Sequence, residues 1–182
     1  MIYERLQNRF RKGSRRLQGY DYSTDGIYFV TICTNERQHF FGEIENDQMT
    51  LSLAGHIVHN EWLKTPEIRK TMDIQLDEFM IMPNHFHCLL IIGQPSLPSS
   101  DKRLPSTNSA PNKFAPQYQN LSAIIRGFKG SCTSKIHEKG LSEFKWQSRF
   151  HDHIIRDKQS WETIRNYIIQ NPQKWREDKF YS

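Results

Sequence analysis

The sequence has 182 residues, with 25 lysine and arginine residues against 20 aspartate and glutamate residues, and 36% of its residues are hydrophobic. This length predicts one domain of ordinary size. The longest unbroken apolar run, residues 88–92, is far shorter than the ~20 residues of a membrane helix. The N-terminus lacks the apolar stretch of a secretory signal, and three cysteines without a C-x-x-C spacing argue against a disulfide framework. We therefore expect a cytoplasmic protein without a membrane partner.

The positive charge is concentrated in residues 1–19. That segment carries six basic residues against Glu4, a net charge of +5 that equals the net charge of the whole chain, so residues 20–182 sum to zero. A basic arm on a neutral body indicates contact with a polyanion. By itself, however, such a segment is more often a solvated terminus. The basic residues of the arm are Arg5, Arg9, Arg11, Lys12, Arg15 and Arg16.

The first half of the chain predicts a strand, a helix and a hairpin. Residues 26–34 are rich in β-branched and aromatic side chains, which is typical of a strand. Residues 37–47 are predicted to be connecting structure, and residues 52–63 place their apolar side chains at helical spacing. Two further strands, 74–82 and 85–92, are separated by a tight turn at a proline. Strands joined so closely should form an antiparallel hairpin.

The second half predicts a loop, a helix, a strand and a last helix. Residues 94–118 are rich in proline, serine and asparagine and are predicted to be a loop within one domain. An amphipathic helix follows over residues 121–136, and a strand over about 148–155. The last helix begins after Asp157, a good N-cap residue, and ends at Pro172 because the residue before a proline resists helical geometry.

The order of these elements is β-α-β-β-α-β followed by one more helix. The natural closure is an α+β fold of the ferredoxin-like type, with a four-stranded antiparallel sheet and two helices packed on one face. We expect one domain over residues 20–176, preceded by the basic arm. This fold hosts many unrelated activities and does not by itself predict a function.

Two His-x-His pairs are candidates for a metal site. His85 and His87 lie two residues apart in a predicted strand, so their imidazoles share one face and are about 6.6 Å apart along the strand. Two such rings could bind one metal ion; the alternative is that they form hydrogen bonds near the end of a strand. His151 and His153 have the same spacing in the last strand. Periodicity alone does not choose between the two pairs.

The predicted C-terminal helix offers a tyrosine and an amide to such a site. Tyr167 and Asn171 are four residues apart and therefore lie on one face of the helix. The carbonyl oxygen of Asn171 could be a third ligand for a hard cation such as Mg²⁺ or Mn²⁺, with Tyr167 near the ion. The alternative is an ordinary core tyrosine beside an Asn-Pro pair that ends the helix.

These blocks resemble a known family. Residues 82–87 (MPNHFH) resemble the His-hydrophobic-His signature of the HUH nucleases, and residues 167–172 (YIIQNP) resemble the tyrosine helix of the single-tyrosine transposases. The similarity to the REP-associated tyrosine transposase branch covers about residues 10–176. Further stretches that carry it are residues 19–23, 28–34 and 150–156.

The resemblance implies a metal-dependent endonuclease and strand transferase that acts on single-stranded DNA. It favours His85 and His87 over the second pair as metal ligands, places Asn171 at the position of a third ligand, and makes Tyr167 the nucleophile of a 5′-phosphotyrosine intermediate. The implied cofactor is Mg²⁺ or Mn²⁺, and the implied partner is hairpin-containing DNA, which makes the protein nucleoid-associated. A homodimer is possible in such a family. Candidate DNA contacts are the basic residues of the arm together with Arg126 and Lys129.

Two other functions fit the same residues. The first is a non-catalytic nucleic-acid-binding module, because a ferredoxin-like sheet with aromatic side chains can hold RNA or DNA without cutting it. The second is a small metalloenzyme that hydrolyses a soluble phosphoester with an activated water. In that case Tyr167 would be dispensable and the product would not be attached to the protein.

Overall fold

The computed structural model describes residues 25–95 and 120–181. The strands within them are β1 (Gly26–Cys33), β2 (Gly42–Glu45), β3 (Gln48–Leu51), β4 (Ile74–Met82), β5 (His85–Ile92) and β6 (His151–Ile155). The α-helices are α1 (Leu53–Leu63), α2 (Thr65–Ile68), α3 (Leu121–Glu138) and α4 (Lys158–Gln170). Short 3-10 segments occur at Asn35–Arg37, Lys70–Met72 and Trp175–Glu177.

Four strands form one antiparallel sheet in the spatial order β4-β5-β1-β6. Strands β4 and β5 form a hairpin, and α3 connects β5 to β6. Strand β1 pairs with β5 on one side and with β6 on the other, so β6 is an edge strand. This is the predicted α+β architecture. The predicted bounds of β4 and β5 agree with the structure at every residue, and those of β1 agree to within one residue.

The sheet is covered on both faces, which explains why β5 is apolar on both of its sides. On one face, Phe86 and its neighbours on β5 pack with Trp62 of α1 and Phe128 of α3 in the main core. On the other face, Leu89 of β5 packs with Ile168 of α4. The two helices of the ferredoxin-like unit therefore lie together on one face, and the C-terminal helix lies on the opposite face.

Each of the three long helices begins at a side chain that caps its first turn. Ser52 accepts a hydrogen bond from the backbone N–H of Gly55, Asn120 accepts one from Ala123, and the predicted cap Asp157 accepts one from Ser160. Such caps satisfy one of the N–H groups that a helix start leaves without a partner. They fix where α1, α3 and α4 begin.

Two predictions about the secondary structure were wrong. Residues 42–51, partly assigned to connecting structure, form the hairpin of β2 and β3, whose turn residues Asn46 and Asp47 both have positive φ (49° and 61°). Two such residues form the turn that matches the twist of paired strands. The last strand begins at His151 and not at residue 148, and Lys129 of α3 donates to the backbone carbonyls of Gln147 and Ser148 before it.

The basic arm at 1–19 and almost all of the predicted loop at 94–118 lie outside the described residues. Within the described residues, every helix is too short or too polar to cross a bilayer.

Candidate active site

His85 and His87 lie side by side beneath the C-terminal segment. Because β5 is an inner strand, the alternation of its side chains sends both imidazoles to the face covered by α4. The two ring centroids are 4.4 Å apart, and neither side chain is exposed. A buried pair of polar rings requires partners.

One nitrogen of each ring is held by a neighbouring side chain. Asn84 donates through Nδ2 to the carbonyl oxygen of Phe180 at 2.8 Å, which leaves its Oδ1 to accept from Nδ1 of His85 at 2.9 Å. On β1, the hydroxyl of Thr31 lies 2.8 Å from Nδ1 of His87, its partner in the strand register. Such second contacts fix the orientation and tautomer of an imidazole that binds a metal.

The environment keeps both rings neutral. Burial lowers the pKa of His85 to about 4, although the negative charge of Asp178 opposes that shift. Burial, followed by the charge of its neighbour His85, holds the pKa of His87 well below its usual value. A neutral imidazole offers a lone pair, which is the form that binds metal ions. At neutral pH the Nε2 atom of His85 therefore carries a free lone pair.

Helix α4 brings the predicted tyrosine and amide to the same place. The hydroxyl of Tyr167 lies 3.3 Å from Nε2 of His87, and the tyrosine ring packs edge-on against Phe29 with centroids 6.2 Å apart. Asn171, at the end of the helix, is 1% exposed. The four side chains that the sequence proposed for the site thus converge in the structure.

Asp178 is a member of this cluster that sequence reasoning missed. Its Oδ2 accepts hydrogen bonds from the hydroxyl of Tyr167 (3.2 Å) and from Nδ2 of Asn171 (3.0 Å). Possible ligand atoms of His85, His87 and Asp178 all lie within 4.8 Å of one another. Asp178 follows a short 3-10 segment with no periodic pattern, so its spacing carried no signal.

Burial and Asp178 together keep the tyrosine protonated. Burial, together with the charge and hydrogen bond of Asp178, raises the pKa of Tyr167 to about 12. The phenol is therefore protonated at neutral pH and donates its hydrogen to the carboxylate. The site thus contains a proton acceptor in direct contact with the tyrosine hydroxyl.

The donor atoms fit a divalent cation. Among the described residues, Nε2 of His85 and Oδ1 of Asn171 are buried and have no hydrogen-bond partner. Leaving such atoms unsatisfied costs about 1–3 kcal/mol each, so a cation bound between them would satisfy both. Imidazole nitrogens with carboxylate and amide oxygens form a mixed set for a metal ion.

The predicted DNA contacts on α3 lie away from this cluster. Helix α3 packs on the sheet face opposite to the histidine pair, where Arg126 is exposed. Lys129 donates to the backbone carbonyls of Gln147 (2.5 Å) and Ser148 (3.4 Å), and burial lowers its pKa. Its ammonium therefore anchors the segment before β6. The arm residues Arg5 to Arg16 lie outside the described residues.

The second His-x-His pair has a different environment. In the strand register His151 lies opposite Thr31, and His153 lies opposite Phe29, so both are on the same sheet face as the first pair. Both side chains are exposed on a short strand. The buried lone pair that lacks a partner belongs to His85, not to this pair.

Comparisons with known proteins agree with this architecture. The chain is 34% identical over 175 residues to an uncharacterized protein of Haemophilus influenzae, and the match covers 92% of each chain. A solved REP-associated tyrosine transposase, bound to a REP hairpin, has 20% sequence identity and a TM-score of 0.54, over 91% of this chain and 74% of its own. No family model matches the chain. The expected resemblance is confirmed at the level of the fold.

Proposed function

The chain belongs to one family with the Haemophilus influenzae protein, and from its fold and the cluster around His87 we propose that it is a metal-dependent enzyme that nicks and joins single-stranded DNA. The proposed substrate contains a hairpin with an adjoining single strand. The proposed nucleophile is Tyr167, and the proposed intermediate is a 5′-phosphotyrosine.

The observation that carries the proposal is the distance between the tyrosine hydroxyl and the buried histidine pair. Tyr167 and His87 are 80 residues apart in the chain, yet their Oη and Nε2 atoms are 3.3 Å apart. An ordinary core tyrosine would bury its ring, whereas Tyr167 is 37% exposed and can be reached by a substrate. A nucleophile in contact with a metal-binding cluster is the arrangement that covalent phosphoryl transfer requires.

The proposed cation is Mg²⁺ or Mn²⁺, held by His85, His87, Asp178 and Asn171. When bound, it supplies positive charge that stabilises the developing charge on a phosphate oxygen. The two imidazoles keep their lone pairs available because burial keeps them neutral. The hydrogen bonds that the two Nδ1 atoms form with Thr31 and Asn84 hold the rings in position.

The chain's own residues carry out the bond changes. The oxygen of Tyr167 attacks phosphorus, a new P–O bond forms to the tyrosine, and the bond from phosphorus to the 3′-oxygen breaks. The phenol proton passes to Asp178, with which it already forms a hydrogen bond, and Asp178 returns that proton through water to the departing 3′-oxygen, which leaves as a hydroxyl. Attack by a second 3′-hydroxyl reverses these steps and joins two strands. The bond energy is retained in the intermediate, so ATP is not required.

Hairpin DNA is proposed as the substrate class because the solved transposase that shares this fold is bound to a REP hairpin. The arm residues Arg5, Arg9, Arg11, Lys12, Arg15 and Arg16, with Arg126 and Lys129, are proposed phosphate contacts. Of these, Arg126 is the exposed cation on α3. The basic arm remains the main candidate because it carries the net charge of the chain.

The test is covalent capture of labelled DNA. Single-stranded oligonucleotides tiled across both flanks of the gene are incubated with the protein and Mn²⁺, then separated under denaturing conditions. Wild-type protein should form a protein–DNA adduct that EDTA prevents, and Tyr167→Phe should bind DNA without forming it. Tyr181→Phe is the matched control, because Tyr181 is 50% exposed and its ring packs against Trp175.

Two results would contradict the proposal. An adduct of normal yield from Tyr167→Phe would remove the tyrosine from the chemistry. Tight DNA binding by wild-type protein without an adduct on any tiled oligonucleotide would favour the non-catalytic nucleic-acid-binding module instead.

A further inference from the structure

The apolar contact that docks the tyrosine helix is small. Of the residues on α4, only Ile168 is buried, while Trp161 and Ile164 are half-buried at the edge of the same cluster. A helix held by so few apolar side chains can rotate about its own axis at little cost in buried area. Other contacts must therefore fix the rotation of α4.

At the first half of α4, such contacts come from an irregularity in β4. The pairing of β4 with β5 shifts register between Leu76 and Phe79. In a regular strand, consecutive side chains point to opposite faces, but a bulge redirects one of them. As a result, both Asp77 and Glu78 contact the same residue of α4.

Asp77 and Glu78 bind the helix through three polar contacts. The indole nitrogen of Trp161 donates to Oδ2 of Asp77 at 2.5 Å. The guanidinium of Arg165 lies 3.4 Å from Oδ1 of Asp77 and 3.3 Å from Oε2 of Glu78. The side chains of Asp77 and Glu78 are 14% and 28% exposed, whereas that of Arg165 is 46% exposed, so solvent reaches the cation but only partly reaches the two carboxylates that hold it.

Arg165 and Tyr167 lie on opposite flanks of the helix. At 3.6 residues per turn, a separation of two residues corresponds to a rotation of about 200°. The apolar stripe of Ile164 and Ile168 lies between them, facing the sheet. A contact that fixes the position of Arg165 on one flank therefore also fixes the distance of Tyr167 from the sheet on the other flank.

The effect on the tyrosine follows from the size of a helix. With a side-chain radius of about 6 Å, a rotation of roughly 10° moves the hydroxyl by about 1 Å. A displacement of 1 Å from the reactive geometry can cost about 100-fold in rate. A small rotation of α4 that follows a loss of contacts at Arg165 should therefore cause a large loss of rate at the tyrosine oxygen.

We propose that Asp77, Glu78, Trp161 and Arg165 form a polar clamp that sets the rotation of α4 and so positions Tyr167 for attack on the phosphodiester. These are positioning residues, since their polar contacts join β4 to α4 and act on the tyrosine only through the helix. The inference rests on the proposed function and adds to it the feature of the fold that aims the nucleophile.

The first test measures the single-turnover rate of adduct formation with saturating single-stranded DNA and Mn²⁺. Arg165→Gln should lower that rate by about 10- to 100-fold and leave DNA affinity within about threefold of wild type. Arg165→Lys keeps the charge but not the paired geometry, so its rate of adduct formation should lie between the rates of wild type and Arg165→Gln. The matched control is the double variant Lys158→Gln/Glu162→Gln, which removes an ion pair of the same helix that faces solvent; its rate should be unchanged.

A second readout does not depend on catalysis. Nuclear Overhauser effects between the rings of Tyr167 and Phe29 report the position of the tyrosine directly. They should be present in wild-type protein and in the control, and weakened in Arg165→Gln. A wild-type adduct rate together with unchanged ring contacts in Arg165→Gln would overturn the clamp. Absence of any adduct from wild-type protein would refute the proposed function instead, and the ring contacts would still decide on the clamp.

Discussion

The hydroxyl of Thr31 should control metal affinity without touching the metal. It lies 2.8 Å from Nδ1 of His87, and both groups are buried. Thr31→Val keeps the shape of the side chain but leaves that nitrogen without its partner. Loss of such a second contact typically weakens metal binding by about 10- to 100-fold, which corresponds to roughly 1.4–2.7 kcal/mol. The unpaired nitrogen should also cost about 1–3 kcal/mol of folding stability.

The assay is calorimetric titration with Mn²⁺, accompanied by urea unfolding of the same variants. Thr65→Val is the matched control, because Thr65 is also buried and donates to a backbone carbonyl, that of Glu61, at 3.3 Å. Both variants should lose stability, but only Thr31→Val should lose Mn²⁺ affinity. Equal losses of affinity in the two variants, or an unchanged affinity in Thr31→Val, would refute the assignment of His87 as a supported ligand.

Two further predictions concern the fold and the composition of the site. Burial opposes ionisation of Glu61, yet hydrogen bonds from Lys135, Ser131 and Lys64 lower its pKa to about 2 from an ordinary 4.5. The ionised carboxylate therefore contributes about 3 kcal/mol to the free energy of unfolding. This contribution is fully present above pH 4.5 and is lost as the pH falls towards 2. The difference in unfolding free energy between wild type and Glu61→Gln should shrink over that range, and a difference that does not change with pH would contradict the argument. Because Tyr167 reaches His87 of its own chain, a mixture of His87→Ala and Tyr167→Phe proteins should form no adduct. An adduct from the mixture would instead mean that the tyrosine acts across a dimer interface.

The sheet could be predicted from the sequence because its strands are strongly patterned. Residues 74–82 and 85–92 are long runs rich in apolar side chains and are separated by a proline turn, so their bounds were evident. The hairpin of β2 and β3 was not predicted because its strands have only four residues each and half of their side chains are exposed. Its signal lay in the Asn46-Asp47 turn, two residue types that tolerate positive φ.

The candidate site was only partly visible in the sequence. Spacing placed Tyr167 and Asn171 on one helix face, and alternation placed the two histidines on one side of a strand. Asp178 was not found, because it lies in an irregular segment whose position is set by tertiary contacts. One of these is the packing of Phe180 on His85, with ring centroids 4.7 Å apart. The bulge that lets Asp77 and Glu78 hold α4 was equally hidden, since it depends on the register with the neighbouring strand.

The central claim is that His85, His87 and Tyr167 form one site around a shared cation. Anomalous diffraction from crystals soaked in Mn²⁺ tests it most directly. We expect an anomalous peak at bonding distance from an imidazole nitrogen of both His85 and His87, with the hydroxyl of Tyr167 beside it. A peak at the exposed pair His151 and His153 instead, with the buried pair empty, would contradict the account.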